Sequence, residues 1–298
     1  MAGWPSPIAV TGPLGFVAAH LLPRLDHAGT QVLAVVRPGS DAQALGRFGG
    51  VEIRRGDLSD PASLGGCFEG AAAVIHLAGL ALVPAMLPTI VASGVSRGVF
   101  VSSAGVHTRL VSSGAAAKRA GEKALADSTL DYTILRPSMI YGTPRDRNMV
   151  RLLRWIERWG VVPAPLGGIT PQQPVHVEDL VQAILASLVR PEAARKSYDV
   201  GGPTAIDLRE VVRAAAGALG RRAYVLPLPL RPAHLAAITA KRLRMPFPVS
   251  PEQVLRLAES KAVDITPATR DLGFSPRTFA EGIAAEVAML RGGPYPGQ

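Results

Sequence analysis

Short apolar runs alternate with amphipathic stretches through the first half of the chain. The runs that predict buried strands cover residues 8–11, 31–36, 51–54, 72–77, 98–103 and 132–135. Periodic apolar positions predict helices that end near residue 27 and that cover residues 41–48 and 118–128. Apolar strands alternating with helices are typical of a parallel sheet covered on both faces. The predicted fold class is therefore α/β, with a Rossmann doubly wound parallel sheet.

The alternation of strands and helices is less regular in the second half of the chain. Apolar periodicity predicts helices over residues 149–159 and 177–189, and short elements separated by glycine and proline over residues 198–202, 208–218, 251–258 and 278–290. We expect residues 1–148 to form a dinucleotide-binding domain, with residues 166–202 adding late elements to its sheet. Residues 149–298 should mainly form a smaller C-terminal substrate or interaction lobe.

Residues 70–96 contain no charged side chain and are long enough to span a membrane. Gly79 follows a predicted strand there, and Pro84 and Pro88 interrupt what comes next. A buried strand followed by a short covered helix is the better interpretation, so we expect no transmembrane segment. The N-terminus lacks the basic start and long apolar core of a signal peptide. A cytoplasmic protein is therefore expected.

Composition narrows the classes of function. The chain has 298 residues, of which 48% are hydrophobic, enough for one large core with a smaller lobe. Its single cysteine excludes an internal disulfide, and no two of its six histidines have metal-ligand spacing, so no metal is expected. The net charge is +9, but the arginines are scattered, with one short cluster at Lys241, Arg242 and Arg244. This favours small anionic ligands over nucleic acid.

A glycine turn joins the first predicted strand to the first helix, with the spacing Gly12-x-x-Gly15-x-x-Ala18. Glycine lets the backbone approach a pyrophosphate, and the helix N-terminus supplies amide hydrogens and a positive dipole end. The strand–turn–helix context makes this pattern indicate a dinucleotide cofactor.

The ends of the next strands carry further candidate cofactor contacts. Arg37 ends the second strand, where an acidic residue would suit NAD and a cation suits the 2′-phosphate of NADP. Arg37, with Ser40, therefore favours NADP(H) over NAD(H). The later strands end at two further candidate groups, one beside the adenine and one under the middle of the cofactor: Asp57 with Leu58, and Leu77, Ala78 with Gly79.

A series of short motifs runs nearly from end to end of the chain. They are Thr11-Gly12-x-x-Gly15-Phe16, Gly56-Asp57-Leu58, His76-Leu77-Ala78, Phe100-Val101-Ser102-Ser103-Ala104, Lys118 with Glu122, Arg136-Pro137, Tyr141-Gly142, Val175-His176-Val177-Glu178-Asp179, Tyr198-Asp199-Val200-Gly201-Gly202 and Leu272-Gly273-Phe274-x-Pro276. With these motifs the chain resembles the extended and atypical short-chain dehydrogenase/reductase superfamily, on the side of the NAD-dependent nucleotide-sugar epimerases, dehydratases and reductases.

The resemblance implies a cofactor and a set of contacts for it. Pyrophosphate contacts would come from Gly12, Pro13, Leu14, Gly15, Phe16 and Val17, and adenine contacts from Asp57 and Leu58. Ser102 and Ser103 would lie near the nicotinamide, and Lys118 would bind the ribose that carries it. The nicotinamide would be covered by Pro137, Ser138, Met139 and Ile140. The resemblance further implies a small carbonyl or sugar-nucleotide substrate and a homodimer through two helices that flank the sheet.

The chain departs from the family at its usual proton donor. Family enzymes carry a tyrosine four residues before the lysine, and Gly114 stands there in this chain. The segments 78–100 and 103–118 are also short for an epimerase. In these two short segments the chain resembles the atypical branch of the superfamily, which includes NmrA-like regulators and an accessory subunit of respiratory complex I.

Three interpretations of the chemistry stay open. Lys118 acts as the acid/base itself, with Ser103 or His107 orienting a substrate carbonyl. Alternatively His107, or Tyr141, replaces the missing tyrosine. In the third, the protein binds the dinucleotide without turnover, as a redox sensor or assembly factor, with residues 227–248 as a docking surface.

Polar residues in the second half are candidate substrate contacts. Arg145, Arg147 and Asn148 follow the Tyr141-Gly142 motif and could face an anionic substrate or a cofactor phosphate. By the resemblance, His176 would line the substrate cleft.

Overall fold

A computed structural model describes residues 3–146, 148–243 and 251–292 of the chain. The chain forms two compact units. The first unit contains residues 1–137, 177–200 and 264–275, and the second contains residues 138–176, 201–263 and 276–298. Arg147, and residues 244–248 of the predicted docking segment, lie outside the described residues.

The helices and strands follow one another closely along the chain. The strands are β1 (Ile8–Thr11), β2 (Val32–Val36), β3 (Val51–Arg55), β4 (Ala73–His76), β5 (Arg97–Val101), β6 (Asp131–Pro137), β7 (Ile140–Tyr141), β8 (Val161–Pro165), β9 (Pro171–Gln172), β10 (Val175–His176), β11 (Lys196–Val200), β12 (Ile206–Asp207) and β13 (Tyr224–Leu228). The helices are α1 (Ala18–His27), α2 (Val83–Ala92), α3 (Ser113–Ala126), α4 (Met149–Trp159), α5 (Val177–Val189), α6 (Leu208–Ala218), α7 (Leu230–Arg242), α8 (Pro251–Leu257), α9 (Thr266–Leu272) and α10 (Phe279–Leu290).

The first unit is built on a seven-stranded parallel sheet with the order β11-β6-β5-β4-β1-β2-β3. The strand order reverses between β1 and β4, and an open α/β sheet binds its ligand at such a switch point. The predicted α/β class with a doubly wound parallel sheet is confirmed.

The central strands are buried because the helices cover both faces of the sheet. Every residue of β1, β2 and β4 is buried. Helix α1 buries the stripe Ala18, Leu21, Leu22 and Leu25. The edge strand β3 has no fully buried residue and carries Glu52, Arg54 and Arg55, charges that discourage a further strand from pairing with this edge.

The second unit has its own apolar core, formed mainly by α4, α6 and α10 with Tyr141. Short strand pairs accompany the helices: β7 with β10 and β8 with β13 are parallel, and β9 with β12 is antiparallel. Capping boxes at Asp207 and Thr278 begin α6 and α10, which fixes where these helices start.

The predicted helices over 149–159 and 177–189 match α4 and α5 at both ends, and the short element expected over 208–218 is helix α6. Two predictions were wrong in detail. The helix predicted over 41–48 is a 3₁₀ turn, Gln43–Arg47, in which Gly46 disfavours a longer helix. Helix α3 begins at Ser113 rather than Lys118, because the Ser112 side chain accepts a hydrogen bond from the Ala115 amide and caps it.

The uncharged segment 70–96 contains β4, a 3₁₀ turn over Leu80–Leu82 and the ten-residue helix α2. Within the described ranges, no helix has the length together with the apolar character needed to cross a bilayer.

Candidate dinucleotide site

The glycine turn after β1 requires glycine at its first position. Gly12 has φ +71°, and a Cβ there would lie 3.0 Å from the amide nitrogen of Ala78. The turn closes through the Gly15 amide, which donates to the Gly12 carbonyl at 3.0 Å. A side chain at position 12 would therefore be strained and would push β1 away from the segment after β4.

A groove of about 280 Å³ opens at the carboxyl ends of β1, β2, β3 and β4. The predicted cofactor residues that line it are Gly12, Pro13, Leu14, Gly15, Arg37, Leu58, Leu77 and Ala78. Val35, Val36, Ser40, Gly56 and Leu82 complete its lining. Four other predicted residues of the same turns, Phe16, Val17, Asp57 and Gly79, are not part of this lining. The backbone cradle and the switch point fit a dinucleotide.

His76 fixes the backbone that follows β4, beside the groove residues Leu77 and Ala78. This role was not predicted from the sequence. The ring is fully buried, and burial lowers its pKa to about 4, so it is neutral. Nε2 donates to the Gly79 carbonyl at 2.9 Å, and Nδ1 therefore accepts from the Thr11 hydroxyl at 2.7 Å. The ring thus ties the end of β1 to the turn at Gly79, where φ is +108°.

The end of the groove at β2 and β3 is charged. Arg37 is exposed over 71% of its side chain, and its Nε lies 3.5 Å from Oδ2 of Asp57. Hydrogen bonds from Ser59, and to a lesser degree the charge of Arg37, lower the pKa of Asp57. The guanidinium therefore keeps most of its surface available to a ligand.

A partly buried ion pair lies at the carboxyl ends of β5 and β6. Ser102 donates to Glu122 at 2.7 Å, and Arg136 binds both carboxylate oxygens of Glu122 at 3.0 and 2.7 Å. Burial opposes the charge of Arg136, but the hydrogen bonds and charge of Glu122, with that of Asp199, raise its pKa overall. The Ser102 hydroxyl is thereby committed to Glu122.

The three predicted catalytic residues differ in their surroundings. Ser103 Oγ accepts from the Gly105 amide at 3.1 Å and caps the 3₁₀ turn Ala104–His107. His107 Nε2 lies 2.9 and 3.1 Å from the two carboxylate oxygens of Asp199, a partner that the sequence did not reveal. Lys118 is half-buried on α3.

Gly114, which stands where the family has its tyrosine, has free space around it. Gly114 is exposed, and a Cβ there would meet only Ser112 Oγ, at 3.9 Å. Gly114 and Lys118 are one helical turn apart on α3, so they share a face of the helix.

The remaining predicted residues, apart from Pro137 at the end of β6, belong to the second unit. Ser138 donates to the Gln173 carbonyl, and Met139 accepts from the Val175 amide at 3.0 Å. Ile140 pairs with Val175 in the β7–β10 ladder, and Arg145 and Asn148 are exposed. His176 is only 3% exposed and packs edge-on against Tyr141 at 5.4 Å.

A buried carboxyl pair in the second unit went unnoticed in the sequence. Glu286 is fully buried and its Oε2 accepts from the Gly142 amide at 3.0 Å. Asp146 is also buried, and its Oδ1 accepts from the Met149 amide at 2.7 Å at the start of α4. Burial first, and then Asp146, raise the pKa of Glu286 to about 9, so Glu286 is protonated at neutral pH.

No group of three or more potential metal-ligating side chains occurs in the described part of the chain. The glycine turn, the groove and the switch point together define a dinucleotide-binding protein of the Rossmann class. A family model described as NAD(P)H-binding matches residues 12–154. This match supports the resemblance of the chain to the extended, NAD-dependent epimerase-like side of the short-chain dehydrogenase/reductase superfamily.

Two curated relatives differ in what they do. Subunit 9 of the NADH dehydrogenase [ubiquinone] 1 alpha subcomplex from Arabidopsis thaliana is 28% identical, over 85% of this chain and 68% of its own length. A (4-alkanoyl-5-oxo-2,5-dihydrofuran-3-yl)methyl phosphate reductase from Streptomyces griseus is 29% identical, over 94% of this chain and 98% of its own length.

Among solved structures, a nucleoside-diphosphate-sugar epimerase from Pseudomonas aeruginosa is similar to this chain with a TM-score of 0.77. It is 20% identical, and the match covers 97% of this chain and 98% of the epimerase. At this identity the likeness shows the fold alone.

Proposed function

We propose that this chain is an NAD(P)-dependent reductase that acts on a small carbonyl substrate. The observation that carries the proposal is the glycine-lined groove at the switch point, on the same edge of the sheet as the polar side chains that follow β5 and β6. Carboxyl ends of parallel strands meet at one edge, so one ligand can reach both regions. The near full-length match to a reductase whose furanone substrate carries a phosphate supports a reductase function for this chain. The positive net charge of +9 suits an anionic substrate.

The division of labour at this site follows from the side chains. The dinucleotide supplies a hydride when bound. Lys118 binds the ribose, as in the family, and either Lys118 or His107 gives the proton that a reduced carbonyl oxygen needs. Pro137, at the end of β6, is the proposed nicotinamide contact of the first unit. The roles of Ser138, Met139, Ile140, Arg145, Asn148 and His176 in the second unit stay predictions from the resemblance.

A preference for NADP(H) over NAD(H) is part of the proposal. Arg37 and Ser40 line the groove at the end of β2, and most of the Arg37 side chain is exposed. A charge-assisted contact to a phosphate contributes about 1.5–3 kcal/mol, or about 10- to 100-fold in affinity. Arg37→Asp should therefore weaken NADPH about 10-fold or more beyond any loss for NADH. Arg47→Asp, at an exposed arginine outside the groove lining, is the matched control; equal losses for both cofactors contradict the preference.

The test of the function combines binding and turnover. Calorimetric titration with NADPH, NADP⁺, NADH and NAD⁺ measures the cofactor site. NADPH oxidation is then followed with a (4-alkanoyl-5-oxo-2,5-dihydrofuran-3-yl)methyl phosphate, with simple ketones and with a 4-keto nucleotide sugar. Oxidation of NADPH by one of these supports the reductase, whereas interconversion of UDP-glucose without net NADPH loss supports an epimerase.

A second candidate function is a non-catalytic subunit or assembly factor. It is favoured by the similarity to the plant complex I subunit over 85% of this chain and by the glycine in place of the family tyrosine. Tight NADPH binding with no turnover of any probe, and co-purification with a stable protein partner, would support this candidate against the reductase.

A homodimer through α2 and α3 also belongs to the proposal. The two helices border a shallow hollow of about 540 Å³, lined mainly by apolar side chains that include Leu87, Pro88 and Val91. Val91 is 40% exposed. Sedimentation analysis should give a dimer for the natural chain and a monomer for Val91→Asp. A monomeric natural chain contradicts this part of the proposal.

A further inference from the structure

Polar side chains from neighbouring strands line the carboxyl ends of β5, β6 and β11 in the first unit. Ser102, Glu122 and Arg136 are joined by the hydrogen bonds described above. Arg136 on β6 stands opposite Asp199 on β11 in the strand register. Asp199 in turn binds His107, and the two form a histidine–carboxylate pair, called here the β11 dyad.

The β11 dyad fixes the tautomer of His107. Carboxylate oxygens accept hydrogen bonds, so the ring nitrogen at 2.9 and 3.1 Å from Asp199, Nε2, carries a hydrogen. Nδ1 is then the nitrogen that gains or loses the second proton. The His107 side chain is 49% exposed, and no hydrogen bond to Nδ1 is found within the residues that the structure describes. With half of the side chain exposed and Nε2 bound to Asp199, Nδ1 is the ring nitrogen left to bind a substrate.

Asp199 is held more firmly than a surface ion pair requires. Its side chain is only 20% exposed and binds His107, and Arg136 is its neighbour in the strand register. Arg136 is itself fixed from the other side by two hydrogen bonds to Glu122. Exposed ion pairs are mobile and contribute little, whereas this carboxylate binds an imidazole and lies near enough to the Arg136 guanidinium for the two charges to interact. Such an arrangement orients a catalytic histidine.

We propose that His107 is the acid/base of the reaction and that Asp199 is its positioning residue, in place of the family tyrosine. This proposal rests on the proposed reductase function. The substrate carbonyl carbon receives the hydride with its electron pair, and the carbonyl oxygen receives the Nδ1 proton of the His107 imidazolium. The products are the alcohol, the oxidised dinucleotide and neutral His107, which keeps its Nε2–H on Asp199. Solvent returns the proton to Nδ1.

The dyad can be tested without any substrate. Long-range proton–nitrogen NMR spectra of protein labelled at the histidine nitrogens report the tautomer of His107. We expect the Nε2–H form in the natural chain and a mixture of both forms in Asp199→Asn. Asp127→Asn makes the same chemical change in the exposed Lys123–Asp127 pair of α3 and should leave the His107 signals unchanged. An Nδ1–H form in the natural chain overturns the proposal.

Steady-state kinetics test the role of the β11 dyad in turnover. The substrate is the furanone phosphate or whichever of the other probes above supports NADPH oxidation. His107→Gln should lower kcat about 10²-fold or more, and Asp199→Asn about 10-fold or more, while the calorimetric Kd for NADPH stays within about twofold of the natural value. The double variant should be no slower than His107→Gln, because Asp199 acts through His107. Losses that multiply in the double variant overturn the positioning role.

Other outcomes separate this proposal from the function on which it rests. Normal kcat in both single variants, with activity lost only in Lys118→Met, assigns the proton to Lys118 and overturns the dyad while the reductase stands. Absence of turnover in the natural chain with every probe overturns the reductase and, with it, the catalytic role of His107. The NMR result then reports only the geometry of the pair.

Discussion

Gly121 marks the closest approach between α3 and the segment that follows β4. A Cβ at this position would lie 2.1 Å from the Leu80 carbonyl oxygen and 2.9 Å from its carbon. Real Cβ atoms do not approach within 3.0 Å, so Gly121→Ala requires a shift of about 1 Å between two backbones. Overpacking costs about 1–3 kcal/mol, and the helix propensity of alanine returns about 1 kcal/mol. The Leu80 backbone cannot rotate away, so we expect the upper end of the overpacking cost, about 3 kcal/mol. The free energy of unfolding should then fall by about 2 kcal/mol.

A matched control lies on the same helix. Gly114→Ala makes the identical change where a Cβ meets only Ser112 Oγ at 3.9 Å. It should raise the free energy of unfolding by up to about 1 kcal/mol. Urea denaturation of both variants measures the difference, and NADPH titration should show weaker binding for Gly121→Ala alone, because the shift displaces Lys118. If Gly121→Ala is as stable as the natural chain, or if both variants shift in the same direction, the close approach of the backbones is wrong.

Three other substitutions test separate parts of the structure. Gly12→Ala places a side chain at positive φ against the backbone after β4, so the Kd for NADPH in calorimetry should rise about 10-fold or more; an unchanged Kd contradicts the cradle. Glu286 ionises near pH 4.5 when unfolded and near pH 9 when folded, so the folded state holds more protons and stability falls as pH rises between these values. Glu286→Gln should flatten this dependence in denaturation curves at pH 5 and pH 8, and a slope like that of the natural chain contradicts the pKa assigned to the buried carboxyl. Gly114→Tyr restores the family acid one helical turn before Lys118 in open space; because His107 already supplies the proton, kcat should stay within about twofold with NADPH binding intact, and a rise of about 10-fold or more would mean that the natural site lacks an efficient proton donor.

The sheet, most helix boundaries and the glycine turn could be predicted because their signals are local. Periodicity located α4 and α5, whereas the start of α3 was predicted at Lys118 because the Ser112 cap was overlooked. The β11 dyad could not be predicted, because His107 and Asp199 are 92 residues apart in the chain. Only the order of strands in the sheet brings β11 beside β6.

Glu122 illustrates the limit within a single helix. Its position four residues after Lys118 was visible in the sequence, but its hydrogen bonds go to Ser102 and Arg136 at the ends of two strands. The Glu286–Asp146 pair likewise depends on tertiary packing, since an acidic residue inside an otherwise apolar helix predicts no particular partner. Contacts of this kind require the register of the sheet or the packing of helices, which no short window of sequence contains.

The discontinuous path of the first unit has a consequence for the order in which the protein is assembled. Strands β1 to β4, which border the cofactor groove, are all synthesised by residue 76, whereas Asp199 belongs to β11, which pairs with β6 from the other edge of the sheet. Chains leave the ribosome at about 5–20 residues per second. A nascent chain therefore contains every residue of the dinucleotide cradle several seconds before it contains the carboxylate that orients His107.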